Sequence, residues 1–141
     1  MIIKRNWRDA HPTIAHESGV DWRLLSSVIK TSGDIEEPEM VQKCRCLKAI
    51  KYLSFAKLQP HLSYEPHHHD DHEEVVHYII NGTGRIKIEN EEARLRDGDI
   101  SYIPENTTHC IINGGQETID CLALVVILEN KKRKGEQEEK K

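Results

Sequence analysis

Aromatic residues are scarce: one Phe, two Trp and four Tyr in 141 residues. So small a supply of stacking surfaces weighs against a large aromatic substrate. Long apolar runs are also missing; the longest, Leu122 to Leu128, falls far short of the ~20 residues that cross a bilayer as a helix. The first residues, Met1-Ile2-Ile3-Lys4-Arg5-Asn6-Trp7, turn polar at once and carry neither the apolar stretch nor the small-residue cleavage site of a secretory signal. A cytoplasmic protein without a membrane partner is therefore the expectation. Positive charge is not in excess, since 20 Lys and Arg face 24 Asp and Glu, a formal net charge of −4. A phosphate backbone meets no basic footprint, and nucleic acid is not an expected partner.

Cysteine is sparse and badly spaced for a structural zinc. Cys44-x-Cys46 is too short a loop for an easy disulfide, and no second pair stands at zinc-finger spacing. Cys110 and Cys121 are placed symmetrically about Gly115-Gln116, as if facing one another across a hairpin. In a reducing compartment free thiols are expected.

What the chain does have is enough apolar residue, 37%, for the core of one soluble domain. Residues 1–19 show no clear period and read as an arm. Val20 to Ile29 is rich in β-branched and apolar residues and reads as a strand. Thr31 to Gln42, acidic and interrupted by Gly33 and Pro38, reads as a long loop. From there short strand-like segments recur: Leu47 to Leu58, Leu62 to Pro66, Glu74 to Ile80, Arg85 to Glu89, Ile100 to Pro104, His109 to Asn113 and Ile119 to Leu128. Asn81-Gly82 has the composition of a type I′ hairpin turn. Many short strands without a helical period predict an antiparallel all-β sandwich or barrel. Glu129 to Lys141 is almost wholly charged or polar and reads as a disordered tail.

The histidines are unevenly spread. Six of nine, His61, His67, His68, His69, His72 and His77, fall within seventeen residues. On an extended strand His67 and His69 point to one side and His68 to the other, so the pair forms two legs of a chelate. A carboxylate at Glu73 or Glu74 lies where the chain can bring it alongside, and His109 on a later strand can close the set. Three imidazoles and a carboxylate suit Fe, Mn, Co, Ni or Zn, with Cu also open, and affinity order alone does not choose among them. A histidine-rich run can equally be solvated surface; His68 and His72 read that way.

At this point the residues resemble a known family. His67-x-His69, four residues, Glu74 and then Gly82-x-Gly84 resemble the first cupin motif, usually Gly, five residues, His-x-His, three or four residues, Glu, six residues, Gly. Gly98, five residues, Pro104, x, Asn106, two residues, His109, three residues, Asn113 is similar to the second motif throughout. Asn106 stands where Gly is usual and tolerates the left-handed backbone Gly would adopt. His61 stands at the leading Gly of the first motif and points to a more ordinary turn. Glu74 lies eight residues before Gly82 instead of seven, whereas His77 lies seven before Gly84. A one-residue bulge would keep Glu74 as the ligand; without it, His77 or Glu73 takes the place.

The resemblance covers about residues 47–128 and implies a cupin-type antiparallel jelly-roll β-barrel with one divalent transition metal inside. Residues 1–46 would be an arm, strand and acidic loop packed on it, and 129–141 a tail. His67, His69, Glu74 and His109 would hold the metal, Tyr64, Tyr78 or His77 would supply a proton donor or acceptor, and Arg23 or Lys51 would hold a carboxylate. The family resemblance implies a metal-dependent enzyme of dioxygenase, lyase, decarboxylase or isomerase type acting on a small, anionic, oxygen-bearing substrate. The alternative is a non-catalytic module that binds a metal or a small ligand. A homodimer formed with residues 1–30 is expected.

Overall fold

The computed structural model describes residues 2–28, 45–69 and 72–128. The acidic loop, Cys44 and the charged tail lie outside the described residues. One turn of 3₁₀ helix, Trp7–Asp9, precedes ten strands: β1 (Pro12–Ala15), β2 (Gly19–Ser27), β3 (Arg45–Leu47), β4 (Ile50–Leu58), β5 (Glu73–Asn81), β6 (Gly84–Ile88), β7 (Glu91–Leu95), β8 (Ile100–Ile103), β9 (His109–Ile112) and β10 (Ile119–Ile127). Among the described residues no helix is long and apolar enough to cross a membrane.

Seven strands form the larger sheet, in the order β1-β2-β4-β10-β5-β8 with β3 beside β2, and β7-β6-β9 form the smaller. Every pairing is antiparallel except β2 with β3. Bridges from Ser63 to Ile112 and from His67 to His109 lay the segment before β5 along the smaller sheet. The result is the expected jelly-roll β-barrel. Its core sits between the sheets, where Leu58, Ile79, Ile119 and Val125 meet Ile86 and Ile111, each contributing about 1.5–3 kcal/mol by leaving water. Beside that core Trp7 stacks on Phe55 with centroids 4.6 Å apart and meets Trp22 edge-on at 5.2 Å. They pin the N-terminal segment to β2 and β4.

Several local readings change. The arm contains β1, which pairs with β2 from Pro12 opposite Trp22 to Ala15 opposite Gly19; its short, exposed sequence carries no period. The three residues between them turn with His16 at φ 50° and Glu17 at φ 67°. The segment read as one strand from Leu47 to Leu58 is split into β3 and β4. Asn81-Gly82 is not a hairpin turn: β5 pairs with β8 and β10, and β6 with β7 and β9. The chain crosses there from one sheet to the other, and only Gly82, at φ 105°, takes the left-handed backbone. A Cβ on it would come within 2.7 Å of the Thr118 carbonyl oxygen.

His61 adopts φ 63° and Asn106 φ 52°. The turn at His61 is therefore not ordinary: a histidine takes the conformation that glycine would have had. Cys110 and Cys121 are both buried and free, but they lie on β9 and β10, in different sheets, and are not cross-strand neighbours.

Candidate metal centre

Four histidines from three parts of the fold meet at one end of the barrel. His16 comes from the β1–β2 turn, His67 and His69 from the segment before β5, and His109 from the first position of β9. Donor atoms of His16, His67 and His69 lie within 4.8 Å of one another. The His67 ring is 3.6 Å from that of His16 and 4.3 Å from that of His109, and the His69 ring is 5.3 Å from that of His109 (centroid distances).

Backbone hydrogen bonds hold two of the rings by one nitrogen. His67 Nδ1 is 2.7 Å from the Glu65 carbonyl oxygen, and His109 Nδ1 is 2.9 Å from that of Thr107. A carbonyl only accepts, so Nδ1 carries the proton in both and the lone pair is at Nε2. His109 Nε2 is buried and has no hydrogen-bond partner. An orphaned buried acceptor is costly, and a metal ion would satisfy it; the carbonyl on the opposite nitrogen is the usual support of a metal-bound imidazole.

Electrostatics favour neutral rings. Burial pushes the His109 imidazole down to about 4, the positive charge of its neighbours His67 and His69 adding to it. His16 is also pushed down to about 4, by burial of its ring among the others and by repulsion from His67, His69 and His109. His67 is lowered by burial too. Neutral imidazoles are the form that donates a lone pair.

The carboxylate that faces inward beside the histidines is that of Glu73, not of Glu74. Along β5, Glu73, Val75, His77 and Ile79 are buried, while Glu74 lies on the other face, where its Oε2 accepts a 2.5 Å hydrogen bond from the Tyr102 hydroxyl. Glu73 Oε2 is 3.5 Å from His69 Nδ1, and Oε1 is 2.5 Å from Lys51 Nζ. Burial alone would raise the Glu73 carboxyl, but hydrogen bonds from His69 and Lys51 outweigh it and hold it below the usual range. The expected bulge does occur, with Asp120 opposite Asn81 and Cys121 opposite Ile79, leaving Ile80 as the extra residue. Upstream of Ile80 the alternation still turns the odd-numbered residues inward. A second bulge, at Lys51, places Val125 opposite Tyr52 and Val126 opposite Ile50, and Lys51 thereby reaches Glu73 from a strand whose regular alternation would send it away.

The three candidate proton-transfer residues separate. His77 is buried on the inner face of β5, its imidazole pushed down to about 3 by burial and then by His109, His69, His16 and His67; its Nδ1 has no hydrogen-bond partner. Tyr64 is buried, its ring edge-on to His16 at 5.3 Å, and its hydroxyl is pushed far up by burial, with Cys121, Asp21 and Tyr52 adding to it. Tyr78 is 41% exposed on the outer face of β5 and does not reach the histidines, for the same reason as Glu74. His68 and His72 are exposed, as read from the sequence. Arg23 lies over the Tyr52 ring, its Cζ 4.1 Å from the centroid.

Sequence reasoning missed His16. No local spacing marks it; only the pairing of β1 with β2 carries it to the other three.

The family described as a cupin domain matches residues 54–127. The chain belongs to the cupin domain family. An oxalate-binding protein of Thermotoga maritima is 22% identical over 115 residues, covering 82% of this chain and 94% of that protein. The crystal structure of a predicted oxalate decarboxylase from Thermotoga maritima superposes with a TM-score of 0.67 at 18% identity, over 89% of this chain and 99% of that one. A cupin superfamily sugar phosphate isomerase from Silicibacter pomeroyi gives 0.63 at 10% identity, over 87% and 74%. At these identities the structural likeness establishes the fold, and one cupin barrel carries different chemistries.

Proposed function

We propose that this cupin holds one divalent transition metal through imidazoles of the His16, His67, His69 and His109 cluster and the Glu73 carboxylate, and takes a small, anionic, oxygen-bearing ligand there. The observation that carries the reading is the pair of Nε2 lone pairs on His67 and His109, each prepared by a backbone carbonyl on the opposite nitrogen. When bound, such a metal supplies a Lewis acid that polarises a coordinated oxygen.

Around it the residues divide the work. Lys51 neutralises Glu73 and fixes its orientation. His77 offers Nδ1 as a proton acceptor inside the barrel, and Tyr64, which stays protonated, donates from its hydroxyl. Arg23 and Lys51 bring the positive charge that favours a carboxylate. We place the substrate among small carboxylates, the class to which oxalate belongs, and the reaction among lyase, decarboxylase, dioxygenase or isomerase types. The name of the Thermotoga relative favours a second reading, a module that binds such a ligand without turning it over.

The experiment is elemental analysis of untagged protein beside His109→Ala, followed by oxalate titration and product analysis with and without oxygen. About one metal per chain, lost in the variant, supports the centre; unchanged metal content overturns it. Product formation supports the enzyme, and saturable binding without product supports the binding module. Self-association through residues 1–30 belongs to the same proposal; light scattering should give about twice the 16.3 kDa chain mass, and a monomer would refute it.

A further inference from the structure

The histidine cluster and a grouping of three arginines, Arg85, Arg94 and Arg96, are separate. Alongside the smaller sheet lies a cavity of about 660 Å³, lined by Arg85, Arg94, Arg96, Asp99 and the Gly114-Gly115 turn. It shares no residue with the candidate metal centre. On β6 and β9, His109 pairs with Ile88, whereas Arg85 pairs with Ile112; three residues of strand, roughly 10 Å at ~3.4 Å per residue, separate the two positions.

The arginines are arranged at a cost. Arg85 stands directly opposite Arg94 in the β6–β7 pair, and like charges directly opposite across an antiparallel pair destabilise it. Arg96 follows one residue beyond β7. The nearby acids offset little of this charge. Arg85 Nη1 meets Glu92 Oε1 at 2.8 Å, but both side chains are largely solvated and such a pair is weak. Asp99 Oδ2 accepts the Arg96 backbone N–H at 2.8 Å. Among the described residues no carboxylate pairs with the side chain of Arg94 or Arg96. A chain of net charge −4 thus gathers three guanidinium groups on one hollow.

The cavity wall also allows close approach. A Cβ built on Gly114 would meet nothing within 4 Å, so this turn opens onto space and leaves its backbone accessible to a ligand.

From these observations we propose that the cavity binds the phosphate group of a phosphorylated small molecule. A planar guanidinium donates two parallel hydrogen bonds to an oxyanion, and a phosphate dianion can satisfy more than one such fork at once, relieving the Arg85–Arg94 repulsion. The cavity is much larger than a phosphate, which leaves room for an organic remainder. The proposal is independent of the metal centre.

The test is titration of ¹⁵N-labelled, metal-free full-length protein with inorganic phosphate and with glycerol 3-phosphate, against chloride and citrate at matched ionic strength. Saturable shifts are expected at the Gly84, Gly114 and Gly115 amides and not at those of His67 and His109. Arg94→Ala and Arg96→Ala should each weaken binding at least tenfold while the amide spectrum away from the cavity is unchanged, which also shows that the variants are folded. Absence of saturation, equal response to chloride, or phosphate affinity unchanged in both variants would overturn the site. Citrate binding as tightly as either phosphate probe would overturn the assignment to phosphate.

Discussion

His67 and His109 are tied backbone to backbone: the His67 amide donates to the His109 carbonyl at 3.0 Å, and the His109 amide donates back to His67 at 2.8 Å. Each ring then donates Nδ1–H to the carbonyl two residues earlier in its own chain. Two segments some forty residues apart in sequence are thus locked in register with their free nitrogens prepared alike. Loss of either ring should remove the metal. His67→Ala and His109→Ala are each expected to lower metal occupancy at least tenfold while far-ultraviolet circular dichroism stays that of a β-protein; full occupancy in either would refute the assignment.

The inward carboxylate separates Glu73 from its neighbour. Glu73→Gln should weaken metal binding tenfold or more, the scale on which ligands and their supports act, and leave Lys51 without its partner. Glu74→Gln removes only a negative charge on the outer face, keeping an acceptor for the Tyr102 hydroxyl, and should leave metal affinity unchanged, with stability altered by about 1 kcal/mol or less. Calorimetric titration of the two apoproteins would show the contrast, and equal losses would sink it.

His16 supplies a subtler check. It sits on an exposed three-residue turn, so His16→Ala should change stability by about 0.5 kcal/mol or less. Metal affinity should nevertheless fall. An unchanged dissociation constant would restrict the ligand set to His67, His69, His109 and Glu73.

Acid should destabilise the metal-free protein. His77 and His109 titrate at about 3 and about 4 in the folded chain, against ~6.5 when unfolded. Between these values the unfolded state binds more protons, so stability rises with pH; it is fully present above about 6.5 and is lost as pH falls towards 4. Each such group contributes a slope of up to ~1.4 kcal/mol per pH unit in that window. Urea midpoints of chelated protein from pH 4 to pH 8 would show the trend, and His77→Gln should flatten it. A midpoint independent of pH below 6 would contradict the buried, neutral histidines.

Gly19 tests how the turn region is held against the core. The Tyr64 ring lies against its Cα so closely that no Cβ fits, and the rigid, buried phenol has little room to move. Gly19→Ala is expected to cost about 1–3 kcal/mol by overpacking, read as a lower melting temperature. It should also disturb metal binding, because Tyr64 packs on His16.

The motif around His109 was readable because its residues act locally. Asn106 takes the left-handed backbone that its side chain tolerates, and His109 follows at the head of a strand. The first motif was harder to read. β5 carries Val75, Val76, Ile79 and Ile80 on both faces, so alternation could not show whether Glu73 or Glu74 points inward. The sheet decided that, by setting β5 between β10 and β8. Tyr78 followed the same rule outward.

By itself the sequence determined the all-β class, the family and the chelating potential of His67, His69 and His109, since strand composition, turn residues and motif spacing are properties of short stretches of chain. The tertiary structure alone brought in His16, turned Glu73 inward and Glu74 outward, and set the arginines around their cavity. These depend on strand pairing and on bulges at Lys51 and Ile80, where a one-residue change of register reverses the direction of a side chain, and pairing between distant segments leaves no mark in local sequence.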